Sequence, residues 1–202
     1  MVKVKICGLT RVEDVVAANA ARPDFVGFVF APSKRRVSRE RAAELRAVLA
    51  AGITPVGVFV DAAVEEIVAL VRGGIIDAVQ LHGAEDEGFI CDLRKKISVP
   101  IIKAVSVVKA GDAQNRQNSD ADFLLLDHKG GGTGEVFDWG LIGDLSKPFF
   151  LAGGLCAENV ADAVAKIEPF AVDVSSGAEV SPGVKCGEKM RKFVANAKGA
   201  KM

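Results

Sequence analysis

Eight short apolar runs recur along the chain, near residues 2–6, 24–30, 55–60, 77–81, 99–104, 122–126, 148–152 and 170–174. They are rich in Val, Ile, Leu and Phe and nearly free of alternating polar positions, the pattern of strands covered on both faces. Stretches with helical spacing of apolar positions separate them: Val12 to Ala21, Arg39 to Ala50, Ala62 to Arg72, Glu87 to Lys96, Lys109 to Asn118, Asp138 to Leu145 and Ala157 to Lys166. A final one, Glu188 to Ala197, closes the chain. Strand followed by helix, repeated this often within 202 residues, predicts an α/β protein. The expected architecture is a single-domain (β/α)8 TIM barrel spanning residues 1–202. A doubly wound open sheet is the competing layout, but it usually carries a glycine-rich turn after its first strand. Ile6-Cys7-Gly8-Leu9-Thr10 lacks the G-x-G-x-x-G spacing of that turn.

Composition narrows the function. Half the residues are hydrophobic and 26% are charged, as in globular proteins. Lys plus Arg equals Asp plus Glu at 26 each, so no broad basic field is offered to nucleic acid or to an acidic membrane. No apolar run approaches the roughly 18 residues of a bilayer span. The opening Met1-Val2-Lys3-Val4-Lys5-Ile6 alternates charged and apolar residues, unlike a secretory signal, so a cytoplasmic location is expected. Cys7, Cys91, Cys156 and Cys186 lie outside metal-finger spacing of one another and are expected to be free thiols. His82 and His128 are the only histidines, neither with a second at ligand spacing, so no metal is expected. The longest irregular stretch, His128 to Phe137 with four glycines, follows the sixth strand, where a barrel places working loops.

A barrel concentrates its chemistry at the C-terminal ends of its strands and in the loops that follow. The last two exits are built from small residues, Gly153-Gly154 and Ser175-Ser176-Gly177. They are the expected phosphate site, because backbone N–H groups there can approach an anion closely. Cys7 ends the first strand and is either an inert buried thiol or a thiolate base. Asp127 ends the sixth and either caps its loop or serves as an acid or base. Within Lys34-Arg35-Arg36, one guanidinium can clamp an anionic substrate group, or the run is a solvated loop. Gln80 and His82 either bond substrate or finish strand four.

Taken in order, these motifs carry a resemblance. Lys5-Ile6-Cys7-Gly8-Leu9-Thr10, Gly27-Phe28-Val29-Phe30, Gly57-Val58-Phe59-Val60 and Val79-Gln80-Leu81-His82-Gly83 are similar to the phosphoribosylanthranilate isomerase family. So are Leu125-Leu126-Asp127, Gly131-Gly132-Thr133-Gly134 with Phe137-Asp138-Trp139, Leu151-Ala152-Gly153-Gly154-Leu155 with Asn159-Val160, and Val172-Asp173-Val174-Ser175-Ser176-Gly177. The resemblance implies a cofactor-free Amadori rearrangement of a small phosphorylated aminoaldose in tryptophan biosynthesis; barrels of this size occur as monomers and as homodimers, and both states stay open. It implies Cys7 as general base and Asp127 as general acid, with Arg35 beside the anthranilate group and Asp173 facing the sugar hydroxyls. Two positions depart from the family pattern. Arg36 stands where an aromatic residue is common, and Cys186 stands where aspartate is common, at an expected helix N-cap.

Overall fold

The computed structural model describes residues 1–128 and 138–200. The glycine run Gly130–Gly134 and Phe137, part of the motif pattern above, lie outside the described residues. The eight apolar runs form eight parallel strands: β1 (Lys3–Cys7), β2 (Phe25–Val29), β3 (Thr54–Phe59), β4 (Ala78–Leu81), β5 (Ile101–Ser106), β6 (Phe123–Asp127), β7 (Phe149–Leu151) and β8 (Ala171–Val174). They pair in sequence order and close into a barrel. At the β1–β8 seam Lys5 lies in register with Asp173, and on the other side of β1 Cys7 lies in register with Gly27 of β2.

Strand parity sorts the core into two layers. Residues facing the axis, among them Val56, Ala78, Ile102, Leu125, Phe150 and Ala171, pack on one another inside the barrel. Residues of opposite parity, such as Val4, Ile6, Phe28, Phe59, Val79, Leu124 and Val172, form the larger layer beneath the helices. The helices are α1 (Val12–Ala21), α2 (Arg39–Ala47), α3 (Val64–Arg72), α4 (Glu87–Arg94), α5 (Val160–Ile167) and α6 (Gly187–Gly199). Each buries a short stripe, for example Ile67, Val68 and Leu70 on α3. Among the described residues, no helix is long and apolar enough to cross a membrane.

Two expected helices are absent. The stretch Lys109 to Asn118 holds only a 3-10 turn, Gln114–Arg116. Gly111 there takes φ +93°, and the Asp112 carboxylate accepts from the N–H groups of Val108 and Lys109, locking a turn. Only Ala113 of the stretch is buried, so no apolar stripe holds a helix against the barrel. The stretch Asp138 to Leu145 likewise holds only a 3-10 turn, Trp139–Leu141, broken beyond it by Gly143 at φ +60°. Conversely, residues 179–185, to which the apolar pattern assigns no element, form an antiparallel hairpin of β9 (Glu179–Ser181) and β10 (Val184–Lys185). Its turn is Pro182-Gly183, with glycine at φ +84°.

Candidate active site

Parity also selects what lines the mouth. Lys5 and Cys7 share the axial face of β1, while Gln80 and His82 share that of β4 and its exit. Asp127 ends β6, and Asp173 and Ser175 share the axial face of β8 and its exit. Cys7, Gln80, His82, Asp127, Asp173, Ser175 and Arg35 all line one cavity of about 520 Å3. Cys7 and Asp127, set 120 residues apart in the sequence, therefore meet over the same space.

Cys7 owes its place to a glycine. A Cβ on Gly27, its register partner, would lie 2.6 Å from Sγ, so the bare backbone of β2 makes room for the thiol. Burial pushes the Cys7 pKa up; the charge of Lys5 opposes this, Asp173 adds to the rise and Lys185 works against it. The group rests as a thiol with cations at hand. Lys5 is fully buried and donates through Nζ to Asp173 Oδ2 at 2.9 Å. Burial works against its charge, but Asp173 and then Cys7 hold its pKa above the usual lysine value. Asp173 Oδ1 is buried with no hydrogen-bond partner among the described residues, an acceptor left open beside the cavity.

Asp127 is a carboxyl poised near neutrality. Burial raises its pKa to about 6 against the His128 N–H, which donates to Oδ1 at 2.7 Å, while Asp173's charge adds to the rise. Its neighbour His82 is held by Gln80, whose Nε2 donates to His82 Nδ1 at 2.8 Å. That bond assigns the imidazole proton to Nε2, 3.9 Å from Asp127 Oδ2. Burial, followed by the charge of Lys5, lowers the His82 pKa and keeps the ring neutral. A carboxyl that releases its proton near pH 6 and a thiol beside two cations can serve as an acid and a base.

The basic run divides. Arg35 lines the cavity, its Nε and Nη2 donating to Glu179 Oε1 and Oε2 at 2.7 and 2.8 Å. Arg36 is exposed and lines a separate cleft with Phe30, Val37 and Glu66. At the small-residue exits, only Ser175 lines the cavity itself. Gly153 and Gly154, at φ +81° and +66°, open the loop after β7. Ser176 and Gly177 open a 3-10 turn, Ser176–Ala178, after β8. The two loops touch, because Gly177 lies against the Leu155 carbonyl with no space for a side chain. Among the described residues, no acceptor engages the amide N–H groups of Gly153, Gly154, Ser176 or Gly177. Unengaged amides on adjoining loops are what an anion needs.

Sequence reading passed over three groups at this site. Lys5 was legible in principle: it shares parity with Cys7 in a strand otherwise buried, a place where lysine is rarely found without a partner. Glu179 and Lys185 carried no such signal, since their roles depend on a hairpin that the apolar pattern does not show.

Known proteins resemble this chain over nearly its whole length. Residues 4–196 match the model of a family described as N-(5'phosphoribosyl)anthranilate (PRA) isomerase. The N-(5'-phosphoribosyl)anthranilate isomerase of Endomicrobium trichonymphae is 47% identical over 189 residues, 92% of each chain. The crystal structure of phosphoribosyl anthranilate isomerase from Thermotoga maritima superposes with a TM-score of 0.91 at 40% identity, covering 98% of this chain and all of that one. A second structure is a complex of such an isomerase with reduced 1-(o-carboxyphenylamino)-1-deoxyribulose 5-phosphate. It gives a TM-score of 0.88 at 39% identity, again over 98% of this chain and all of that one.

Proposed function

The chain belongs to the N-(5'-phosphoribosyl)anthranilate isomerase family, and we propose that it converts N-(5'-phosphoribosyl)anthranilate to 1-(2-carboxyphenylamino)-1-deoxyribulose 5-phosphate by an Amadori rearrangement. The observation that carries the residue roles is the convergence of Cys7 and Asp127 on one cavity that Ser175 also lines. Asp127 gives its proton to the furanose ring oxygen. The C1–O bond breaks as the nitrogen lone pair forms a C=N bond, opening the ring to a cationic Schiff base. Cys7 removes the proton from C2, and the C2–H electrons form the C1=C2 bond of an enolamine while the nitrogen recovers its lone pair. Transfer of the C2 hydroxyl proton to C1 then gives the ketone.

The order of these steps follows from the electrostatics. In the free protein at neutral pH Asp127 is largely ionised and Cys7 is a thiol, the reverse of what the first two steps use. The productive form, with the carboxyl protonated and the thiol ionised, is therefore a minor one, constant between the two pKa values and falling outside them. Binding an organic substrate expels water, which favours the protonated carboxyl. The Schiff-base charge then makes C2 more acidic and favours the thiolate beside it.

The rest of the mouth positions substrate. Arg35 takes the anthranilate carboxylate; Asp173 accepts from sugar hydroxyls through its open Oδ1, and Gln80 and His82 hold the acid side. The amides of Gly153, Gly154, Ser176 and Gly177, with Ser175, grip the phosphate. One chain supplies every group named, so the site is complete in either a monomer or a homodimer. The test is to follow the fluorescence of the anthranilate aminoaldose with purified protein. Enzymatic decay is expected, and a rate no faster than the protein-free blank overturns the proposal.

A further inference from the structure

The β9–β10 hairpin joins the exits of β2 and β8, which flank β1, through a single carboxylate. Glu179 accepts both N–H groups of the Arg35 fork, and its Oε1 also accepts from Lys185 Nζ at 2.8 Å. The same Nζ donates to the Ser175 carbonyl at 3.0 Å, in the loop after β8. The hairpin is itself anchored: Thr10 Oγ1 donates to the Gly183 carbonyl at 2.7 Å, and the Lys185 N–H donates to Asp14 Oδ1 at 3.2 Å. Glu179 and Lys185 are both buried.

We infer that Glu179 is a positioning residue that aims Arg35 at a carboxylate on the substrate's aryl group, and so sets specificity for aminoaldoses that carry one. An arginine left free loses rotamer entropy when it is fixed. The Glu179 fork fixes the guanidinium plane before substrate arrives. It uses two of the five N–H donors and leaves three, including the end-on Nη1 and Nη2 pair that matches a second carboxylate. The charges agree with this reading. Arg35 and Lys185 are two cations around one anion, so one positive charge remains for an incoming monoanion. Nearby cations and their hydrogen bonds hold the Glu179 pKa below the usual carboxylate value despite burial, so its charge persists across the working range.

This inference rests on the isomerase reading, and the test separates the two. Wild type and Glu179→Gln are assayed with the anthranilate aminoaldose and with the aniline aminoaldose that lacks the carboxylate. Glu179→Gln is expected to raise KM for the anthranilate substrate about tenfold, with kcat within about twofold and the aniline substrate unaffected. Glu179→Asp, which keeps the charge but shortens the reach, is expected to change the same ratio less; it decides the matter if Glu179→Gln fails to fold. A loss by the same factor on both substrates marks a merely structural role and overturns the inference. A lower KM for the anthranilate substrate overturns it too, since Glu179 then competes for Arg35. If wild type turns over neither substrate, the isomerase reading itself falls and takes the inference with it.

Discussion

The two ends of the barrel are built from the same strands and do opposite work. At the N-terminal end the axis is plugged by aromatic rings. The Phe150 centroid lies 5.3 Å from that of Phe25 and 5.6 Å from those of Phe123 and Phe170, while Phe123 and Phe170 lie 4.7 Å apart. At the C-terminal end the axis is surrounded by Lys5, Cys7, Asp127 and Asp173, with ionisable groups held out of water. Phe123 and Asp127 show the division on one strand: both face the axis of β6, four residues or about 13 Å apart. A period of two lets a single strand place a ring in the plug and an acid at the mouth. One end lowers free energy by packing, and the other accepts a cost in stability to hold reactive groups ready.

That division can be broken by substitution. The largest effect is expected at the mouth: Cys7→Ala and Asp127→Asn should each lower kcat about a thousandfold while the circular dichroism spectrum stays native. Near-normal turnover by either variant removes that residue from the chemistry. Next comes the plug. Phe150 is fully buried among three rings, and Phe150→Ala should cost about 3–5 kcal/mol in denaturant unfolding. Its kcat, measured where the variant is folded, should change less than about threefold; a large fall would show that the ends are not independent.

The same comparison predicts that the mouth weakens the fold. Asp127 keeps its proton up to about pH 6 in the folded chain but loses it near the ordinary carboxylate value when unfolded. The folded state binds more protons between about pH 4 and pH 6, so this group's contribution to stability declines as pH rises through that window. Asp127→Asn removes the penalty and should be the more stable protein at pH 7, by about 3 kcal/mol. The two proteins should converge below about pH 4, where both carry a neutral side chain; urea titrations at pH 3.5 and 7 measure the difference. The smallest effect is expected at Cys186, the N-cap of α6, whose side chain makes no capping bond. Cys186→Asp should add about 1 kcal/mol to stability and leave kcat unchanged. A shift in kcat would show that the adjoining Lys185 network is sensitive to the start of that helix.

The eight strands were legible because an all-apolar run of four to six residues has few other stable uses in a small α/β chain. Helix boundaries were less so, and two crossovers failed as helices because Gly111 and Gly143 break them and little of 109–118 reaches the core. At the mouth, Cys7, Asp127, the Lys34–Arg36 run and the paired small exits were legible as candidates because barrels put chemistry at strand ends, and the motif order resembled a known family. The choice between Arg35 and Arg36 was not, since adjacent residues of one loop differ only in where the backbone turns them.

The succession and spacing of apolar runs along the chain determined that eight parallel strands would form and which residues would stand at strand exits. Those are local properties, fixed by what a buried backbone tolerates. Closure of the barrel decided the rest. It set Lys5 against Asp173 across the β1–β8 seam, opened space over Gly27 for the Cys7 thiol, and raised the Asp127 pKa by shielding it from water. It also placed Glu179 between Arg35 and Lys185. Charge, burial and partnership depend on neighbours that are distant in sequence, and only the folded chain brings those neighbours together.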